Sequence, residues 1–390
     1  MLLTTMGDLS SAQEQLLLVL PFPEPRPLID ALRRDFAHLS VVFYQLDEDE
    51  TKKIQKESPH IPRDVLAATT ILCTINFFPH LRDVPRLKYV HVLTAGIDRI
   101  VHDPIVSSPS SSSIAITTVS GIHGPPIAEW VVMNWLIASR RYDDTAQWQR
   151  EHRWRGGVAP DQLMRRMFDH VGKRVGILGY GSIGRQVARV AVAMGMTVHA
   201  YTLSPRPTPA SRRDTGYVVP GTGDPDGTLP TSWHHGRSRA DLHAFLAQGL
   251  DYLLVSLPLT PQTTRLLGAD EFAILAPSQA RARSDDDSSS RTRRGPFITN
   301  VSRGQILDQD ALIASLRAGE LAGAALDVTD PEPLPPEHPL WDAPNVHIAP
   351  HVSAFGEEYL ARALDVLREN LARMDKGEDL VNAYQRGRGY

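Results

Sequence analysis

The feature that most constrains the fold of this chain is a glycine-rich turn between a strand-like run and a helical pattern. The apolar run at 175–178 predicts a buried strand, and Gly179, Gly181 and Gly184 follow it as G-x-G-x-x-G. Apolar residues then recur at helical spacing, and a second β-favouring run ends at Tyr201. Strand, turn, helix and strand in this order are the context that a dinucleotide-binding turn requires.

Each glycine of this turn has a physical role in holding a pyrophosphate. Gly179 permits the tight turn, Gly181 lets the backbone approach the phosphates, and Gly184 allows the helix to pack closely on the strand. The first helical turn offers N–H groups and the positive end of its dipole to an anion. We therefore predict a Rossmann-type site with these cofactor-binding residues: Gly179, Tyr180, Gly181, Ser182, Ile183 and Gly184.

Composition and charge exclude several other classes of function. The 390 residues include 41 Lys and Arg against 45 Asp and Glu, a formal net charge of -4. Because no overall basic charge attracts polyanions, we expect neither nucleic acid nor a membrane surface as a partner. Cys73 is the only cysteine, so we expect no intrachain disulfide and no metal site. No signal peptide and no membrane-spanning apolar run is evident, so we expect a cytoplasmic protein.

The alternation of strand-like and helical segments predicts an α/β protein with parallel sheets covered on both faces. Apolar runs at 16–22 and 39–44 are typical of strands, whereas 28–36 has helical spacing. Two polar stretches, 204–239 and 279–295, interrupt the alternation. Because they offer little apolar surface for burial, we interpret both as surface insertions outside the core.

Further motifs follow the glycine-rich turn in a fixed order and support a family assignment. They are NVSRG at 300–304, GAALDV at 323–328, EP at 332–333 and NVHIAPH at 345–351, with LTAGID at 93–98 preceding them. In this order the motifs resemble those of the D-isomer-specific 2-hydroxyacid dehydrogenase family. The resemblance extends over most of the chain and leaves out the two insertions.

The resemblance implies two doubly wound parallel-sheet domains, a Rossmann nucleotide-binding domain inserted into a flavodoxin-like substrate domain. On this basis we expect residues 122–352 to form the NAD(P)-binding domain. Residues 1–121 and 353–390 are expected to form the substrate-binding domain. Because the family is usually dimeric, we also expect a homodimer, with a small 2-oxo or 2-hydroxy acid as its substrate.

The resemblance also implies a catalytic set, in which Arg303, Glu332 and His351 match the arginine, glutamate and histidine of the family. Reduction of a 2-oxo acid needs a proton donor, and histidine exchanges protons near neutral pH. A carboxylate beside the imidazole favours its protonated form, and arginine can bind a carboxylate through two parallel contacts. Taken singly, each residue is equally compatible with an ordinary surface or loop position. Their joint occurrence at predicted strand ends favours the catalytic interpretation.

Further binding residues follow from the same resemblance. Ala95 and Gly96 match the turn whose N–H groups hold the substrate carboxylate, and the catalytic arginine and histidine also bind substrate. Asp327 matches the residue near the nicotinamide carboxamide. Pro258, which ends the apolar run at 251–258, is added to the predicted cofactor-binding residues.

The residues after the second Rossmann strand bear on the choice of cofactor. An NAD-preferring site usually places Asp or Glu there, to bind the ribose hydroxyls. Here Thr202, Ser204 and Arg206 stand instead, and they suit a 2′-phosphate. We predict that NADP(H) is favoured and that NAD(H) is possible. The alternative is that Arg206 only begins the polar insertion and leaves a neutral pocket that accepts both cofactors.

Two functions of different classes remain open on sequence alone. The first is an oxidoreductase that transfers a hydride between NAD(P)H and a small 2-oxo acid of the glyoxylate or hydroxypyruvate type. The second is a nucleotide-sensing interaction protein, because the C-terminal-binding corepressors resemble the same family. Since those corepressors retain the same residue types, the catalytic set does not separate the two. The absence of an evident interaction tail favours the enzyme.

Overall fold

The computed structural model describes residues 13–46, 54–58, 60–276 and 295–386. They form two compact units, of which the second is Gly121–Tyr359 and the first combines the residues before and after it. The sequence prediction placed the two boundaries at 121/122 and 352/353. The assignment of substrate to the first unit and of cofactor to the second stays a prediction.

Each unit contains one parallel sheet in the described part of the chain. The strands of the first are β1 (Gln15–Leu20), β2 (Ser40–Gln45), β3 (Ile71–Thr74), β4 (Tyr89–Val92) and β5 (Ala115–Thr118). The strands of the second are β6 (Arg174–Leu178), β7 (Thr197–Thr202), β8 (Ser232–His235), β9 (Tyr252–Val255), β10 (Phe297–Asn300), β11 (Gly323–Leu326) and β12 (Val346–Ile348). Their orders are β2-β1-β3-β4-β5 and β12-β11-β10-β9-β6-β7-β8, which confirms the predicted doubly wound α/β class.

Helices connect the strands and cover the sheets. In chain order they are α1 (Arg26–Asp35), α2 (Arg63–Ala68), α3 (Pro104–Ser107), α4 (Gly124–Arg140), α5 (Tyr142–Arg150), α6 (Pro160–Arg166), α7 (Ser182–Ala193), α8 (Pro209–Arg212), α9 (Arg239–Leu246), α10 (Ala269–Leu275), α11 (Gln309–Arg317) and α12 (Tyr359–Lys376). Short 3₁₀ turns span Leu81–Asp83, Pro109–Ser111, Trp154–Gly157 and Gly304–Ile306. Among the described helices, none combines the length and the apolar character needed to cross a membrane.

The central strands are buried because helices cover both faces of each sheet. Every residue of β1 is buried, as the continuous apolar run of a covered parallel strand requires. In the second unit α4 packs against α7, and Trp135 of α4 is fully buried. Its indole Nε1–H donates to the Thr299 hydroxyl at 2.9 Å, so the ring is satisfied within the core.

The interpretation of residues 204–239 as a surface insertion is correct for most of its side chains, which are exposed or half-buried, but wrong for its place in the fold. The segment contains α8 and β8, and β8 extends the second sheet by pairing with β7. It also buries Asp224, whose carboxylate accepts hydrogen bonds from the segment and from Tyr180. Polar contacts therefore replace the apolar surface that this segment lacks. The second predicted insertion, 279–295, lies outside the described residues apart from Gly295.

Burial keeps His91 of the first unit and His123 of the second unit in the neutral form. The His91 Nδ1 atom lies 2.8 Å from the Thr117 hydroxyl oxygen, and Nε2 lies 3.2 Å from the Ala363 carbonyl oxygen. His123 is also buried, and its Nδ1 atom has no hydrogen-bond partner among the described residues. Burial lowers the pKa of His91 and the pKa of His123 to about 4. The unfolded chain, with histidine pKa values near 6.5, therefore binds more protons than the folded chain in acid.

We expect the free energy of unfolding to fall as the pH drops from about 6.5 towards 4. The loss is roughly 3 kcal/mol each for His91 and His123. His91→Gln should remove one contribution, so that stability depends less steeply on pH. Urea unfolding of both proteins at about pH 7 and about pH 4.5 measures this. His102→Gln, at an exposed position of the same unit, is the control, and equal pH dependence of His91→Gln and wild type would contradict the expectation.

Candidate active site

The glycine-rich turn has the geometry that its sequence predicts. Gly179 lies in the left-handed region at φ 101°, and an added Cβ would lie 2.6 Å from the Ser256 carbonyl oxygen. An added Cβ on Gly184 would lie 2.5 Å from the Gly179 carbonyl oxygen. Both glycines are therefore needed for the close approach of β6, β9 and α7. Because both positions exclude a side chain, the turn tolerates no larger residue there.

Gly181 differs from its neighbours because open space lies beside it. Apart from Gly181 itself and its two chain neighbours, no heavy atom of the described residues lies within 4 Å of the position that a Cβ would occupy. Gly181 is also the N-cap of α7, so the amide groups of the first helical turn lie next to this space. The turn therefore fits a pyrophosphate, which needs close backbone approach and N–H donors.

The other predicted residues of the second unit lie at the same edge of the sheet. Parallel strands present their carboxyl ends together, and ligands bind in the crevice where the strand order reverses. Here that point lies between β6 and β9. The predicted residues at these carboxyl ends are Thr202 at the end of β7, Pro258 after β9, Arg303 after β10, Asp327 after β11 and His351 after β12.

The structure brings His351 and Glu332 into direct contact. The His351 Nδ1 atom lies 2.7 Å from a Glu332 carboxylate oxygen, although the two residues are 19 positions apart. Both side chains remain accessible to solvent, at 43% and 40% of their full exposure. Since Nδ1 is used by the carboxylate, Nε2 is the ring atom left to exchange a proton with a ligand.

Asp327 fixes the loop that carries His351. Its buried carboxylate accepts hydrogen bonds from the Val352 and Ser353 N–H groups at 2.8 and 3.0 Å, and from the Ser353 hydroxyl. Its carbonyl oxygen accepts from the His351 N–H group at 2.8 Å. Both carboxylate oxygens are thus used within the protein. The expected contact between Asp327 and a nicotinamide stays a prediction.

Arg303 lies on a turn that packs closely against the loop before Glu332. An added Cβ on Gly304 would lie 2.0 Å from the carbonyl atoms of Thr329, so only glycine allows this approach. Asn300 stabilises the turn, because its side-chain N–H donates to the Arg303 carbonyl oxygen at 3.0 Å. The Arg303 guanidinium donates to the Ser302 carbonyl oxygen at 2.8 Å. Arg303 and Glu332 therefore lie on loops in contact.

Gln309 is a supporting residue that the sequence analysis missed. It is the first residue of α11 and is buried. Its amide oxygen accepts from the Asp330 N–H group at 3.1 Å, and its amide N–H donates to the Asp330 carbonyl oxygen. This reciprocal pair fixes the main chain two residues before Glu332. No sequence motif predicts this contact, because the partners of the Gln309 side chain are main-chain atoms, which every residue type provides.

Two of the residues predicted to bind the ribose end of the dinucleotide, Thr202 and Arg206, make hydrogen bonds within the protein. The Thr202 hydroxyl donates to the Ser204 carbonyl oxygen at 2.8 Å, which closes the turn after β7. The Arg206 guanidinium donates to the Ser211 carbonyl oxygen, and the side chain is half-buried. No acidic residue occurs from 202 to 206. A 2′-phosphate would therefore meet no negative charge on this turn.

Ala95 and Gly96 belong to the first unit, where they follow the carboxyl end of β4. The Thr94 hydroxyl donates to the Gly96 carbonyl oxygen at 2.6 Å, and Ala95 is exposed. Their role in substrate binding stays a prediction. No group of three or more potential metal-ligating side chains occurs among the residues that the structure describes.

Comparison with protein families supports the same assignment. The family model described as D-isomer specific 2-hydroxyacid dehydrogenase, NAD binding domain, matches residues 132–220 and 228–353. Glyoxylate reductase of Aeropyrum pernix is 30% identical over 308 residues, which cover 77% of this chain and 78% of that protein. Glyoxylate/hydroxypyruvate reductase A of Salmonella paratyphi B is 28% identical over 310 residues, which cover 78% of this chain and 82% of that protein.

A solved structure extends the similarity to nearly the whole chain. The D-isomer specific 2-hydroxyacid dehydrogenase from Xanthobacter autotrophicus Py2, crystallised with NADPH and MES, superposes with a TM-score of 0.67. The two proteins are 25% identical, and the match covers 97% of this chain and all of that one. The similarity therefore includes both units and is not limited to the glycine-rich turn.

Gln309→Leu should separate Glu332 from His351. The substitution keeps an apolar stem but removes both hydrogen bonds to Asp330, so the loop loses its fixed position. We expect a crystal structure of the variant to show no contact between the Glu332 carboxylate and His351 Nδ1. Asp310→Asn, at the exposed next position of α11, should retain the contact. If the contact survives in Gln309→Leu, Gln309 has no positioning role.

Proposed function

This chain belongs to the D-isomer-specific 2-hydroxyacid dehydrogenase family, and we propose that it reduces small 2-oxo acids of the glyoxylate or hydroxypyruvate type. It is an oxidoreductase that transfers a hydride between a nicotinamide cofactor and such an acid. The contact between His351 and Glu332, at the sheet edge that also carries the glycine-rich turn, is the observation that carries the proposal. The relatives named above are reductases, which favours this function over the nucleotide-sensing alternative.

The proposed chemistry assigns one task to each catalytic side chain. A bound reduced nicotinamide supplies the hydride. The His351 Nε2 atom donates a proton to the carbonyl oxygen, while Glu332 accepts the Nδ1–H hydrogen bond and keeps the ring in one orientation. Arg303 keeps its charge at any working pH and binds the substrate carboxylate through two N–H groups. In the reverse direction, His351 accepts the proton from the hydroxyl group.

The dinucleotide is held by this chain's own backbone and by the turn after β7. The amide groups at the start of α7 bind the pyrophosphate beside Gly181. Pro258 lies on the loop after β9, the neighbour of β6, and we expect it to contact the dinucleotide from there. We propose NADP(H) as the favoured cofactor, because Arg206 supplies a positive charge and no carboxylate opposes it. A neutral pocket that accepts NAD(H) equally remains the alternative.

A homodimer and a cytoplasmic location are also part of the proposal. The dimer is supported by α4, which leaves Met133 and Leu136 exposed at 47% and 40% although most of this helix is apolar. Exposed apolar side chains on one helix are typical of subunit contacts. The cytoplasmic location rests on the sequence alone.

His351→Ala should lower kcat for glyoxylate reduction by on the order of 10²-fold or more, because the variant lacks the proton donor. The dissociation constant of the dinucleotide should stay unchanged, since none of the proposed dinucleotide contacts uses the His351 side chain. Steady-state kinetics and calorimetric titration measure the two quantities. His102→Ala, at an exposed histidine outside the proposed sites, should behave as wild type. Turnover of His351→Ala close to wild type would remove His351 from the mechanism.

Arg206→Ala should raise KM for NADPH much more than KM for NADH. A charged hydrogen bond to the 2′-phosphate is worth roughly tenfold or more in affinity, and NADH lacks that group. Initial rates with each cofactor, at a fixed concentration of glyoxylate, give the comparison. Equal effects on both cofactors, or a wild-type enzyme that prefers NADH, would refute the proposed choice of cofactor.

A further inference from the structure

Residues 207–229, which we call the bridging segment, pack against the helix of the glycine-rich turn. The Gly223 N–H group donates to the Gln186 side-chain oxygen at 2.6 Å, and Arg189 donates to the Gly223 carbonyl oxygen at 3.2 Å. Asp224 is buried beneath these contacts. The bridging segment is therefore joined to α7 by hydrogen bonds within about one helical turn.

Arg185 of α7 is the buried centre of these contacts, with only 4% of the residue exposed. Its guanidinium donates to the Asp224 carbonyl oxygen at 2.5 Å and to the Arg212 carbonyl oxygen at 2.6 Å. The Nε atom lies 3.5 Å from an Asp214 carboxylate oxygen. A guanidinium cannot lose its charge, so its burial requires such partners. All three partners belong to the bridging segment.

A second contact joins the bridging segment to the turn itself. The Tyr180 hydroxyl donates to the Asp224 carboxylate at 2.8 Å, and the same carboxylate accepts from the Thr228 and Leu229 N–H groups. Tyr180 is the second residue of G-x-G-x-x-G, and its ring lies 5.1 Å from the Arg185 guanidinium carbon. Burial raises the pKa of Tyr180, so its hydroxyl stays protonated and remains a donor.

The same segment also fixes Arg206. The Arg212 Nε–H donates to the Arg206 carbonyl oxygen at 2.9 Å, and the Arg206 guanidinium donates to the Ser211 carbonyl oxygen. Arg212 in turn offers its carbonyl oxygen to Arg185. A continuous series of contacts therefore runs from Arg185 through Arg212 to Arg206.

We propose that Arg185 is a positioning residue for cofactor selection, which holds Arg206 at the ribose end of the dinucleotide through the bridging segment. The inference rests on the proposed preference for NADPH. It assigns a role to the bridging segment, which becomes part of the dinucleotide site. Arg185 itself needs no contact with the cofactor, since its donors are directed to the segment.

Calorimetric titration of the full chain with NADPH and with NADH tests this role. Arg185→Gln should weaken NADPH binding by roughly tenfold or more and NADH binding much less, because only NADPH needs a fixed Arg206. Arg189→Gln is the matched control, since Arg189 also donates to the segment but is exposed. It should retain the wild-type preference. The dissociation constants need no turnover, so they report binding alone.

A milder variant and a proteolytic measurement cover the case in which Arg185→Gln fails to fold. Tyr180→Phe removes only the hydroxyl that binds Asp224 and should shift the NADPH to NADH ratio in the same direction. Trypsin should cleave after Arg212 and Arg213 faster in both variants than in wild type or in Arg189→Gln. A bridging segment released from α7 exposes these bonds for longer.

The outcomes separate this inference from the proposed function. Wild-type protein without a preference for NADPH refutes the proposed cofactor and, with it, the selection role. A wild-type preference that Arg185→Gln and Tyr180→Phe both retain refutes the role of Arg185 alone. Equal weakening of NADPH binding and NADH binding also overturns the proposed role of Arg185. The bridging segment would then support the whole dinucleotide site rather than its ribose end.

Discussion

The buried carboxylate of Asp327 is the interaction on which the arrangement of the site depends most. Strand β11, which it follows, lies between β10 and β12 and is fixed by both. The hydrogen bonds that the Asp327 carboxylate accepts from the Val352 and Ser353 N–H groups extend this fixed position to the loop after β12. The loop then holds His351 in the position in which its Nδ1 atom contacts the Glu332 carboxylate. The solvent-accessible pair of His351 and Glu332 therefore depends for its geometry on the buried Asp327 carboxylate.

The nucleotide end of the same sheet depends on buried polar groups in a similar way. Arg185 and Asp224 join α7 to a segment that has few apolar residues of its own. Buried charges of this kind need several partners, and the main-chain carbonyl groups of the segment provide them. Both ends of the site are therefore held by hydrogen bonds to main-chain atoms, which specify loop conformation more narrowly than apolar packing does.

How much could be predicted from sequence differed from one part of the site to another. The glycine-rich turn could be predicted, because each glycine meets a steric requirement of one strand and one helix. Apolar patterning does not predict that residues 204–239 belong to the fold, because it cannot detect a segment that packs through a buried polar residue such as Asp224. The same limit applies to Gln309, whose partners are the main-chain atoms of Asp330. Main-chain partners leave no pattern of residue types in the sequence.

The most direct test of the proposed function is the turnover of the wild-type protein with a panel of 2-oxo acids and both reduced nicotinamides. We expect oxidation of NADPH with glyoxylate or hydroxypyruvate, at a higher kcat/KM than with NADH. The product should be the corresponding 2-hydroxy acid, formed in equal amount to the nicotinamide consumed. A folded protein that binds a dinucleotide but turns over none of these acids would contradict the account, and would favour a nucleotide-sensing role instead.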